Sequence, residues 1–246
     1  MKIFFLADKS PEATKALYAC IKKYGQADLA KADVVIALGG DGFMLKTLQG
    51  LLNYQTPVFG LNFGHVGYLL NHYSPDELPE RIEHADSVRL TPLSVHAEPF
   101  GKQPIQAYAF NDFSLTRQSP QAARLSVTIT DKQNGERFIS QDTVFGDGLV
   151  VATSSGSTGY YASAGGQPLP AQSGYIGVKG ICCKAGYNPI VSDEAHIVVT
   201  PQEPKKRPIH LDCDGKKRFS NIALAAIQAD ATKTHTLLVD RKQNGR

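Results

Sequence analysis

No stretch of this sequence is apolar for anything near the about 20 residues a helix needs to cross a bilayer, so no membrane partner is expected. The opening run Met1-Lys2-Ile3-Phe4-Phe5-Leu6-Ala7-Asp8 is too short for a secretory signal and meets a charge at once, and it reads as a first strand. Charge of one sign is scarce as well. With 26 Lys and Arg against 23 Asp and Glu the net charge is +3, and basic residues gather only at Lys205-Lys206-Arg207 and Lys216-Lys217-Arg218. Nucleic acid is therefore not an expected partner, and the two clusters read as solvated turns or as neighbours of an anionic ligand. The four cysteines, Cys20, Cys182, Cys183 and Cys213, have neither metal-ligand spacing nor a disulfide framework. That points to a reducing, cytoplasmic setting and to inert core thiols. Internal repeats and low-complexity segments are absent too.

What remains is an ordinary globular composition, 42% hydrophobic and 20% charged over 246 residues, enough chain for one large domain or two small ones. Its organising stretch is Val34-Val35-Ile36-Ala37-Leu38-Gly39-Gly40-Asp41-Gly42-Phe43-Met44-Leu45, a β-branched apolar run that ends at three glycines around one carboxylate. It reads as a buried parallel strand, a tight turn and a helix. Glycines let backbone N–H groups approach phosphate oxygens, and the helix start adds its positive dipole end. The run fits neither G-x-x-x-x-G-K-[ST] nor G-x-G-x-x-G. A carboxylate beside phosphates is repelled unless it holds a metal ion or takes a proton from an attacking hydroxyl. The second role is preferred for Asp41, against the plainer reading in which it only caps the helix.

Along the chain, a strand over residues 2–7, a helix from Pro11 to Lys23, the strand Val34 to Leu38, a helix from Phe43 to Leu52 and the strand Pro57 to Leu61 predict a parallel, doubly wound sheet. Ligands of such sheets gather at the carboxyl ends of strands. The third strand empties into a second glycine loop, Asn62-Phe63-Gly64-His65-Val66-Gly67-Tyr68-Leu69-Leu70. After a short helix from Pro75 to Glu83 the helical periods disappear. Alternating strands take over from about residue 88, with Asn134-Gly135 as the strongest hairpin signal. The fold class expected is α/β plus all-β. A doubly wound, Rossmann-like N-terminal phosphate-loop domain spans 1–91 with a return strand at 234–246, and a β-sandwich-like C-terminal domain spans 92–233. Ile176 to Cys183 is read as core rather than as an apolar interface strand.

The second domain holds the longest motif, Gly146-Asp147-Gly148 leading the strand Leu149-Val150-Val151-Ala152, then Thr153-Ser154-Ser155-Gly156-Ser157-Thr158-Gly159-Tyr160-Tyr161-Ala162-Ser163-Ala164-Gly165-Gly166. Hydroxyls and N–H groups at a helix start suit a phosphate or a ribose, and Asp147 can accept from a hydroxyl or an amide. Asn111-Asp112 lies between two strands of the same domain. It is either a plain turn or an amide and carboxylate pair that meets a ligand's edge.

With Gly39-Gly40-Asp41-Gly42, Asn62-x-Gly64-x-x-Gly67-Tyr68-Leu69, Asn111-Asp112 and the run Gly146–Gly166 in this order, the sequence resembles the NAD kinases. The first motif alone is shared with 6-phosphofructokinases and lipid kinases, and the long run separates them. The resemblance covers residues 34–166, while 172–191 diverges. It implies phosphorylation of the adenosine 2′-hydroxyl of NAD by ATP or polyphosphate, with a divalent cation, Mg²⁺, arriving on the nucleotide phosphates rather than in a protein cage. It also implies a site between the two domains and a homodimer or homotetramer. Carried over by position, Asp41 is the base, and Gly39, Gly40, Gly42 and Lys46 form the phosphate loop. Gly42, Tyr68, Leu69, Asn111, Asp112, Asp147, Ser155, Thr158, Gly159, Tyr160 and Ser163 bind NAD. Three positions depart from the family: Asp112 stands for the usual glutamate, Ser154-Ser155 for Pro-Thr or Pro-Ser, and Gly159 for alanine. A kinase of the same loop acting on a lipid or sugar and a non-catalytic NAD-binding protein are the alternatives.

Overall fold

Strand and helix alternate through the first ninety residues as β1 (Ile3–Ala7), α1 (Pro11–Tyr24), β2 (Val34–Gly39), α2 (Asp41–Gly50), β3 (Val58–Asn62), α3 (Leu78–Glu83) and β4 (Asp86–Leu90). The computed structural model describes residues 1–131 and 137–241. The start of α1 is set locally: Ser10 caps it by accepting from the Ala13 N–H at 3.3 Å, and Pro11 sits at its first position. A return strand, β17 (His235–Val239), completes this unit, which comprises Met1–Leu90 and Lys233–Arg246. The sheet order is β1-β2-β3-β17-β4, with β4 alone antiparallel.

Strand parity shows why this sheet is covered twice. Val34, Ile36 and Leu38 of β2 and Phe59 and Leu61 of β3 pack with Ala13, Ala16 and Cys20 of α1 and with Leu78 and Ile82 of α3. On the opposite parity, Gly60 of β3 lies directly against Met44 of α2. Every residue of β2 is consequently buried, as the uninterrupted apolar run implies for a strand with helices on both faces. This is the doubly wound, Rossmann-like arrangement.

The second unit, Thr91–Thr232, is a sandwich of two six-stranded antiparallel sheets. Its elements are β5 (Leu93–Pro99), β6 (Ile105–Ala109), β7 (Asp112–Arg117), β8 (Ala123–Asp131), β9 (Arg137–Gly146), β10 (Gly148–Thr153), α4 (Tyr160–Ser163), β11 (Tyr175–Ile181), β12 (Ile190–Ser192), β13 (His196–Pro201), β14 (Ile209–Cys213), β15 (Lys217–Ser220) and β16 (Ile222–Ala229). One sheet runs β12-β11-β10-β7-β14-β15 and the other β6-β5-β16-β13-β8-β9. Alternate residues of both, among them Phe113, Leu115, Val127, Ile129, Val151, Val178, Ile197, Leu211 and Ile227, form one buried core. Ile176 to Cys183 thus supplies core, through Ile176 and Val178. Strand β10 is buried on both faces, because Val150 and Ala152 turn from the sandwich toward Tyr161 of α4.

Three strands carry no readable signal. Strand β4 is largely exposed and polar, β15 is a short basic stretch, and β16 is alanine-rich, a composition that favours helix over strand when read alone. Asn134-Gly135 lies outside the described residues. Among the described residues no helix is long and apolar enough to cross a membrane.

Candidate functional site

The predicted residues fall into two groups, one in each unit. In the first unit Asp41 opens α2 directly after Gly40, the residue that occupies the cap. The carboxylate does not cap its own helix. It accepts instead from Gly67 N–H at 3.0 Å and from Leu69 N–H at 2.9 Å, one bond per oxygen, across to the second glycine loop. Phe63 N–H donates to the Gly39 carbonyl at 2.9 Å and so joins the loops at their bases. Their backbones nearly touch: a Cβ built on Gly64 would stand 2.9 Å from the Gly40 Cα, so only glycine permits this approach. Buried Asn71 closes the second loop. Its side chain donates to the Leu238 carbonyl at 3.1 Å and accepts from Asp240 N–H at 2.8 Å, which ties the loop to β17.

The two loops thus form one rigid platform at the carboxyl ends of β2 and β3, with a half-exposed carboxylate whose orientation is fixed from one side. Each oxygen spends one lone pair on an amide and keeps another for an incoming hydroxyl. Tyr68 stands 74% exposed beside it, an aromatic face available for stacking. Lys46 lies exposed one turn further along α2.

In the second unit a polar cleft of about 510 Å³ is lined by Asn111, Asp112, Ser114, Thr116, Tyr160, Asp212, Asp214, Gly215 and Arg218. Of the expected NAD-binding residues in this unit, Asn111, Asp112 and Tyr160 line it, and Asp147, Ser155, Thr158, Gly159 and Ser163 do not. Asp147 makes an ion pair with Arg117 at 2.6 Å. Ser155 and Thr158 lie in a 3-10 turn after β10, and the Ser163 hydroxyl donates back to the Gly159 carbonyl at 3.3 Å. That turn is seated on the Asn111-Asp112 bend. Thr153 Oγ1 donates to the Phe110 carbonyl at 2.7 Å and accepts from Gly156 N–H at 2.9 Å. Gly156 packs so tightly on the Asn111 main chain that a Cβ would overlap its carbonyl.

Asp112 is only 6% exposed, and among the described residues no donor is bonded to its carboxyl. Burial first, then the nearby Asp214 and Asp212 carboxylates, push its carboxyl up to about 7. Burial also raises the Tyr160 phenol, with Asp112 the largest of the charges that add to the effect. Arg218 is taken by Asp212, at 2.7 and 3.2 Å. Asp212, Asp214 and Arg218 were not among the residues expected from sequence. The signal was present in Asp214-Gly215, an Asp-Gly pair flanked by strands, which folds as the hairpin turn between β14 and β15 with both residues at positive φ, 48° and 64°.

Against solved structures, the chain is similar in fold to yeast NADH kinase complexed with NADH (TM-score 0.81, 19% identity, 99% of this chain and 84% of that one). It is also similar to an NAD kinase from Archaeoglobus fulgidus in complex with ATP (TM-score 0.76, 23% identity, 99% and 94%). These two likenesses show a shared fold. Residues 5–86 match the ATP-NAD kinase N-terminal domain and residues 121–239 the ATP-NAD kinase C-terminal domain. The NAD kinase of Hyphomonas neptunium is 35% identical over 98% of this chain and 92% of its own length, and that of Xylella fastidiosa 35% over 99% and 92%. The chain belongs to the NAD kinase family.

Proposed function

We propose that this protein is a kinase that transfers a phosphoryl group from ATP to the adenosine 2′-hydroxyl of NAD, giving NADP. The observation that carries the reading is the Asp41 carboxylate, held by the Gly67 and Leu69 amides at the start of α2 within a platform of abutting glycines. Such a group can accept the ribose proton as the hydroxyl attacks, while the glycine backbones leave room for phosphate oxygens. Gly39, Gly40, Gly42 and Lys46 are assigned to the phosphates, and Tyr68 and Leu69 to the adenine. Asn111, Asp112 and Tyr160 are assigned to the dinucleotide, with Asp147, Ser155, Thr158, Gly159 and Ser163 as flanking contacts.

Among the described residues no group of three or more His, Cys, Asp or Glu is placed to hold a metal ion. A divalent cation, Mg²⁺, is assigned to the nucleotide phosphates, where it would offset charge on the transferred group. The protein is also assigned a homodimeric or homotetrameric state, which sedimentation checks.

The test is to incubate purified protein with NAD or NADH, Mg²⁺ and either ATP or polyphosphate, and to read the product with an NADP-specific dehydrogenase. NADP formation is expected. Its absence with every donor, accompanied by tight NAD binding in calorimetry, would favour a non-catalytic coenzyme binder. Phosphorylation of a lipid or sugar without NAD turnover would favour the wider kinase group.

A further inference from the structure

We propose that Asp214 is the positioning residue of the coenzyme cleft: its carboxylate gathers three consecutive main-chain N–H groups and thereby sets how Asn111 and Asp112 meet the ligand. The proposal rests on the NAD-binding reading above. One Asp214 oxygen accepts from Asn111 N–H at 2.7 Å and from Asp112 N–H at 3.2 Å, and the other accepts from Phe110 N–H at 3.1 Å. Asp214 N–H completes the lock by donating to the Asp112 carbonyl at 3.0 Å. These bonds span more than a hundred residues of sequence and join the β14–β15 turn to the start of β7. Asp214 reaches them because it stands in the left-handed region, φ 48°, beside Gly215, a conformation that aspartate tolerates better than most residues.

Burial raises the Asp112 carboxyl to about 7, and the same Asp214 carboxylate is the larger of the two negative charges that add to the effect. Among the described residues, the charged or titratable groups facing Asp112 come from two strands, the turn between them and one helix. Asp212 comes from β14, Asp214 from the turn, Arg218 from β15 and paired to Asp212, and Tyr160 from α4. Strand β10 places uncharged Ala152 opposite. Asp214 therefore acts on Asp112 twice, by bonds to its main chain and by charge on its side chain.

Two variants separate these actions. Asp214→Asn loses the charge and turns an amide toward one of the three N–H groups, and Asp214→Glu keeps the charge but displaces the oxygens. In steady-state assays of NADP formation, both are expected to raise KM for NAD about tenfold with kcat little changed, the scale of a lost hydrogen bond to a charged group. The pH profile of kcat/KM should break near 7 in wild type and in Asp214→Glu, and at lower pH in Asp214→Asn. A purely structural role would not move that break. Folded variants with wild-type KM and an unmoved break would overturn the proposal, and so would failure of both to fold, which would leave Asp214 a structural role only. Wild-type protein that makes no NADP is a different failure, that of the functional reading.

Discussion

Asp41 and Asp112 are the two aspartates at the centre of their respective units, and their surroundings are opposite. Asp41 is half-exposed and held by an amide on each oxygen. Asp112 is buried, bonded to no donor among the described residues and flanked by two more carboxylates. A carboxylate that is oriented yet open can receive a proton from an arriving hydroxyl. A carboxyl buried among like charges keeps its own proton until about pH 7 and so is a hydroxyl donor. One residue type is thus suited to accept a proton in the first unit and to donate one in the second, and burial and neighbouring charge make the difference.

The largest effect should come from breaking the first half of that contrast. Asp41→Asn is expected to lower kcat by about a thousandfold or more, the scale of a lost general base, while calorimetry shows NAD still bound. Retention of near-normal NADP formation would remove the distinction between the two aspartates. The folded state should lose only about 1 kcal/mol, since one amide N–H then faces an NH₂ group. Next in size is Gly156→Ala, which pushes a methyl into the Asn111 carbonyl. Stability should fall by about 3 kcal/mol in urea unfolding, with KM for NAD rising because the Asn111-Asp112 bend shifts. An unchanged midpoint would mean that the hydroxyl-rich turn does not set that bend.

Much of this was readable beforehand because its causes are local. The apolar run of β2, the glycines after it, the Ser10-Pro11 start of α1 and the texture change near residue 90 each follow from short-range sterics and period. The Gly146–Gly166 motif identified the family for the same reason, being contiguous. What stayed hidden depends on long-range partners. The Asp41 carboxylate looked able to cap its helix, and only the return of Gly67 and Leu69 to it, from 26 and 28 residues on, gave it other donors. The approach of Asp214 to Phe110, Asn111 and Asp112 crosses 102 to 104 residues, and no spacing rule reports such a pairing. Strand β16 was lost to its alanines, whose helical preference is overridden by pairing with β5 and β13.

The remaining predictions use pH to set one unit against the other. Asp112 has a carboxyl raised above its ordinary value of 3.8 to about 7. Its contribution to stability is present in full below about pH 4 and is lost as pH rises through 7. Asp112→Asn cannot ionise, so without coenzyme it should exceed wild type by roughly 2 kcal/mol near pH 8 and lose that advantage near pH 4. In the first unit the sign reverses. His235 of β17 is 2% exposed, and burial lowers its imidazole below the ordinary 6.5, with nearby Lys233 adding to the effect and a backbone contact at Leu51 opposing it. The neutral ring is the folded form. Stability is therefore complete above the ordinary value and falls as pH drops through the depressed one, a loss that His235→Gln should flatten. Urea midpoints near pH 5 and near pH 8, read for wild type and both variants, should show the acid sensitivity disappearing with His235 and the alkaline sensitivity with Asp112. If both slopes disappeared in one variant, the two groups would be titrating as a single system and the contrast between the units would fail.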